Sequence, residues 1–141
     1  MGVAQPATSP FRYSRHGLSL AKEKAMNDVN RIKKILSGKT MVLVGGDERP
    51  EHKKRLLAAF GLLDVIWIET RDSDPSSRRF ASIVRRAEVA IVVALSGLLR
   101  HQHIRDLRTL CRELGRPLLT YWRSPHPEGL AAAITAQKLR I

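Results

Sequence analysis

Cysteine, long apolar runs and acids are all scarce in this chain, and the first two scarcities each close off a class of protein. A single cysteine, Cys111, among 141 residues leaves no intramolecular disulfide framework and no Cys-rich zinc site. No stretch approaches the roughly 18 consecutive apolar residues that a membrane-spanning helix needs, so no membrane partner is expected. The opening residues lack the basic-then-apolar layout of a secretory signal. Pro6 also stands where a myristoylation sequence wants Ser or Thr, so a cytoplasmic protein is the expectation. Acids number 13 against 25 Lys and Arg, for a net charge of +12, and Arg outnumbers Lys by 17 to 8.

What is present is a globular composition. The chain is 43% hydrophobic and long enough for one domain with a sizeable core. The positive charge is not confined to a tail: residues 1–38 carry a net +5 and residues 39–141 a net +7. Arginine offers a planar fork matched to phosphate and sheds water more readily than lysine. The Arg bias therefore favours phosphate recognition over mere solubility.

Residues 1–17, with two Pro and two Gly, are expected to be a flexible basic arm. Within it Arg12, Tyr13 and Arg15 interleave cations with an aromatic ring, a composition suited to stacking on bases and neutralising phosphates. Over 18–38 an amphipathic helix is expected. Leu18, Ala21, Ala25, Val29, Ile32, Ile35 and Leu36 fall on one stripe, and Gly38 supplies the stop. Such a helix either docks on the domain or pairs with a second copy or a larger partner.

From residue 39 to 141 the pattern is strand–helix alternation. Short apolar runs at Met41–Val44, Val65–Ile68, Val89–Leu95 and Leu118–Trp122 read as strands. Helices are expected at Pro50–Phe60, Asp74–Arg86, His103–Leu114 and Pro127–Lys138, with Pro in first turns and Gly61 and Gly115 after the ends. Strands apolar on both faces and joined by helices imply an α/β fold. The expected form is a small flavodoxin- or Rossmann-like parallel sheet of about four strands, order 2-1-3-4, with helices on both faces.

In such a sheet a ligand crevice lies beyond the carboxyl ends of strands one and three. The loops there offer Gly45, Gly46 and Arg49, then Ser96 and His101. The sequence after strand one is neither GxGxxG nor a P-loop, and Asp47 and Glu48 would repel a phosphate. On the helix after strand two, at 100° per residue, Arg78, Arg79, Arg85 and Arg86 fall in a wedge about 120° wide opposite Phe80, Ile83, Val84 and Ala87. On the next helix Arg105, Arg108 and Arg112 fill a wedge about 60° wide beside the apolar stripe. The topology puts both helices on one face, so seven arginines are expected to share a layer. Catalytic patterns are absent: no GxSxG surrounds Ser96, and His101 and His103 point to different helical faces without a carboxylate cluster. No catalytic residue, metal site or cofactor is expected, and Cys111 reads as a packing residue.

Gly45-Gly46, His101, Arg108, Cys111, Gly115-Arg116-Pro117 and Arg123-Ser124 occur in the order and spacing of a known pattern. Through them the span Leu43 to Ile134 resembles an uncharacterised bacterial Rossmann-like domain-of-unknown-function family. That family often has Ser before the His, here Arg100, and a His-Asp-Gly-Gly-like stretch after strand two, here Glu69-Thr70-Arg71-Asp72. The resemblance implies the same fold and a gathering of His101, Arg108, Arg123 and Ser124 near the crevice. It implies no established activity.

The leading functional expectation is a non-enzymatic module that holds nucleic acid, DNA or RNA, by its phosphates through Arg12, Tyr13, Arg15, Arg78, Arg79, Arg85, Arg86, Arg105, Arg108 and Arg112. A second is a regulatory module binding a small anionic ligand such as a nucleotide at Gly45, Gly46, Arg49, Ser96, His101, Arg108, Arg123 and Ser124. The third is an assembly subunit that forms a homodimer, or docks on a larger protein, through residues 18–37.

Overall fold

The computed structural model describes residues 10–70 and 78–141. Its elements follow the order α1 (Pro10–Leu36), β1 (Thr40–Val44), α2 (Pro50–Phe60), β2 (Asp64–Ile68), α3 (Arg78–Val84), β3 (Val89–Leu95), α4 (His101–Leu114), β4 (Leu118–Tyr121) and α5 (Pro127–Ala136). All strand pairings are parallel and the sheet order is β2-β1-β3-β4. Strand burial follows that order. The central strands β1 and β3 are buried almost throughout, whereas the edge strands β2 and β4 are interrupted by exposed and half-buried residues.

Two apolar layers clothe the sheet. On one face Ile32 and Leu36 of α1, Leu56 and Phe60 of α2, and Leu130, Ala131 and Ile134 of α5 pack on Met41, Leu43, Ile91 and Val93. On the other, Phe80 and Val84 of α3 and Leu107 and Cys111 of α4 pack on Val42, Val44, Val92 and Ala94. Alternation along each strand sends successive side chains to opposite layers. The helices after β2 and β3 share a face, as expected from the topology.

Two elements, α1 and α3, differ from the sequence expectation. The helix expected from residue 18 begins at Pro10, so residues 10–17 of the expected flexible arm are helical. A proline suits the first helical turn, and Gly17 costs only about 1 kcal/mol against Ala, so the helix extends through it. Residues 1–9 lie outside the described residues, as does the expected helix start at Asp74-Pro75. At the other end of α1, Ile32 and Leu36 are core residues, so this part of the helix docks on the sheet domain and shares its interior. Arg31 reinforces that docking by donating to the Thr135 hydroxyl of α5 while pairing with Asp28 at 3.0 Å.

The helix after β2 is also shorter than expected, ending at Val84. The chain must enter β3 at Val89, and it closes with tighter bonds: Arg86 N–H to Ile83 C=O and Val89 N–H to Arg86 C=O. Arg85 keeps an α-helical bond, its N–H donating to Ala81 C=O at 3.1 Å, whereas Arg86 leaves the spiral, so the projected four-Arg wedge stops at Arg85. Both are exposed, while the side chains of Arg78 and Arg79 lie outside the described ones.

Candidate functional site

At the carboxyl ends of β1 and β3 the chain leaves the sheet in opposite directions, and the loops part to form a crevice. Gly45 (φ 133°) and Gly46 (φ 65°) turn the first loop through backbone angles that disfavour side chains. A Cβ on Gly45 would also sit 3.0 Å from Leu95 Cβ, so the two loops approach as closely as glycine permits. Thr70, buried just past β2, ties the loops together. Its hydroxyl accepts from Gly46 N–H (3.1 Å) and donates to Leu98 C=O (3.3 Å). The Trp67 indole N–H donates to Gly45 C=O at 2.9 Å, and a Glu69 carboxylate oxygen accepts the Glu48 N–H at 3.0 Å.

Two adjoining cavities fill the crevice and share Gly46, Asp47, Gly97 and Leu98. The first, about 570 Å³, extends past Thr70, Leu99 and Arg100. The second, about 350 Å³, is walled by Trp67, Trp122, Arg49, Arg123 and Ser124 among others. Trp122 is 69% exposed, with the Arg123 guanidinium 4.4 Å from its ring centroid.

Of the ligand residues expected from sequence, Gly46, Arg49, Arg123 and Ser124 meet at this second cavity, with Gly45 buried just behind. Ser96 lies in the single 3-10 turn after β3, half-buried and outside either lining. His101 is the exposed first residue of α4 and also lies outside both linings. Arg108, two turns further along α4, belongs to a different surface. The sequence reading missed the two tryptophans and Thr70. Both tryptophans were findable, since they stand at the carboxyl ends of β2 and β4 and a parallel sheet gathers all such ends on one side.

That different surface is a groove of about 370 Å³ between α4 and the outer edge of β4. It is lined by Arg108, Arg112 and Arg116 with Cys111, Leu118, Thr120 and Gln137. No acid stands in this lining. Arg108 and Arg112 stand one turn apart on α4, about 6 Å along its axis, and Arg116 follows just beyond the left-handed cap at Gly115. Among the described residues none of the three forms an ion pair, nor does Arg105. The Arg116 guanidinium is braced by donating to Arg86 C=O at 2.9 Å. Arg116 also lines a neighbouring cavity with Lys39 and Arg140, where Glu88 is the acid present, so positive charge continues beneath the sheet. Burial pushes the Cys111 thiol up to about 11, with the nearby Arg116 charge opposing; it is a packing residue in the groove floor.

The described residues hold no cluster of three or more His, Cys, Asp or Glu able to grip a metal, and no helix long and apolar enough to cross a membrane. Elsewhere His52 of α2 meets His126, the residue before α5, with ring centroids 5.1 Å apart. Fold and crevice together define a small all-parallel, Rossmann-like α/β domain. No family model matches the chain, nor does any curated protein, so kinship with the family above stays a resemblance. Among solved structures the chain is similar to that of an FpvC mutant from Pseudomonas aeruginosa, at 15% identity and a TM-score of 0.48. The match covers 89% of this chain and 49% of that one, so the chain spans about half its length.

Proposed function

We propose that this protein is a non-enzymatic module that holds nucleic acid by its phosphates along the α4–β4 groove. The observation that supports it is the row Arg108 and Arg112, continued by Arg116 past the helix end: three guanidiniums on one groove, no acid in its lining and, among the described residues, no ion pair to neutralise them. Like charges so close repel one another, and a run of phosphates relieves that repulsion while releasing condensed counterions. Arg105 extends the row one turn toward the crevice. Phosphates are common to every sequence, so contacts of this kind carry affinity rather than base preference.

The test is binding of fluorescent DNA and RNA across a salt series, read by anisotropy. Affinity falls steeply with salt, and Arg108→Gln with Arg112→Gln lowers the slope of log affinity against log salt by about one per lost phosphate contact. A flat salt response, or a double variant that binds as the parent does, overturns the reading. Arg116 is left intact because its guanidinium also braces the backbone at Arg86.

A further inference from the structure

The chain has two tryptophans, and the phosphate-binding groove uses neither. Both line the same cavity of about 350 Å³ at the crevice. They do different things there. Trp67 is 8% exposed and commits its indole N–H to Gly45 C=O, which fixes it as a wall. Trp122 leaves most of its ring in water, whereas Phe60 and Phe80 are fully buried. An indole held at a cavity mouth forgoes burial that a flat ligand laid on it would restore. Charge converges on the same place, since Arg49 and Arg123 line this cavity and Arg123 already lies against the Trp122 ring.

We infer that this crevice is a nucleotide subsite: the base stacks on Trp122, and Arg49 and Arg123 take the phosphate. Neither half of that chemistry accounts for the lining alone. An apolar ligand would leave two guanidiniums and the Asp47 carboxylate facing it without partners, while an inorganic anion would leave Trp122 uncovered and meet Asp47. A nucleotide uses all of them, because ribose hydroxyls donate to a carboxylate such as Asp47 and the Ser124 hydroxyl serves either sugar or phosphate. The phosphate goes to the guanidiniums rather than to the amides after β1, since Glu69 already occupies the Glu48 N–H. The volume lies within the range of about 300–1,000 Å³ typical of small-ligand sites. None of the lining residues belongs to the α4–β4 groove, so this inference stands apart from the proposed function.

The nucleotide could be free or part of a single strand, and one experiment with three ligands separates these sources. AMP, ribose 5-phosphate and a short single-stranded oligonucleotide are titrated into the full chain, with intrinsic tryptophan fluorescence and calorimetry as readouts. AMP quenches saturably and binds at least about fivefold more tightly than ribose 5-phosphate, the low end of what stacking one base contributes. Trp122→Ala weakens AMP by a similar factor with an unchanged melting temperature, and Trp122→Phe, which keeps a flat ring, recovers most of it. Binding of the oligonucleotide but not AMP, with the same sensitivity to Trp122→Ala, supports the subsite and assigns it to a strand. Equal affinity for AMP and ribose 5-phosphate, indifference to Trp122→Ala, or no binding of either nucleotide ligand at this cavity overturns it. Loss here with salt-dependent nucleic-acid binding retained rejects the crevice alone, and the converse rejects the groove alone.

Discussion

His52 shows how one side chain carries the fold's response to acid. Its imidazole stands below the ordinary 6.5, first through burial and then through His126, Arg49 and Arg55, with Glu51 pulling the other way. Its Nδ1 is buried without a partner, so a proton added there gains no bond. A lowered folded value means that the unfolded chain binds the proton more readily. The stability His52 contributes is present above 6.5 and is lost as the pH falls from there through the lowered folded value. Melting temperatures between pH 5 and 8 are expected to drop on the acid side in the parent and to drop less in His52→Gln. Identical pH profiles would show that the imidazole is better solvated than its surroundings imply. Cys111 tells the opposite story at the same scale, because burial alone holds its thiol protonated to about 11.

At the scale of the element, α1 illustrates how an amphipathic stripe divides its duties. Its last turns send Ile32 and Leu36 into the layer shared with α2 and α5, whereas Leu20 and Met26 further up remain exposed. Leu36 is fully buried, and removing its side chain leaves a cavity between rigid neighbours such as Phe60 and Met41. Leu36→Ala is expected to cost about 2–5 kcal/mol in urea unfolding, against little for Leu20→Ala. The arginine helices make a related point. The projected wheel held on α4, where Arg105, Arg108 and Arg112 are all exposed, because fourteen residues keep the spiral regular. On α3 it failed at Arg86, because the α-helical bonds end with Arg85 N–H to Ala81 C=O and the chain then tightens toward β3.

For the whole molecule, the junction between helix and sheet decides what a smaller version of this protein can be. A chain beginning at Lys39 lacks Ile32 and Leu36 and opens the α2–α5 layer to water. It is expected to bind a hydrophobic dye and lose its cooperative melt. A chain beginning at Ala25 keeps the docked turns and the Arg31 contacts, and is expected to melt within a few degrees of the parent. Cooperative melting of the Lys39 version would show that the sheet and its other helices suffice. Solution masses of the parent and the Ala25 version then address self-association through the upper part of α1 without damaging the core.

The sequence by itself determined the alternation of strands and helices, the sheet order 2-1-3-4, the turn glycines at Gly45 and Gly46, and the burial of Cys111. Those features rest on local periodicity and on handedness rules that need no knowledge of distant residues. Tertiary structure alone decided which charges and rings become neighbours. Trp67 and Trp122 are far apart in the chain yet share a cavity, because parallel strands bring their carboxyl ends to one edge of the sheet. His101 and Arg108 were expected beside Arg123 and Ser124. His101 stands at the crevice mouth beside the lining residue Arg100, though outside either lining, whereas α4 carries Arg108 away to the β4 edge. Spacing along a chain fixes a side chain's direction on its own element, but convergence between elements depends on register and crossover, which only the folded sheet supplies.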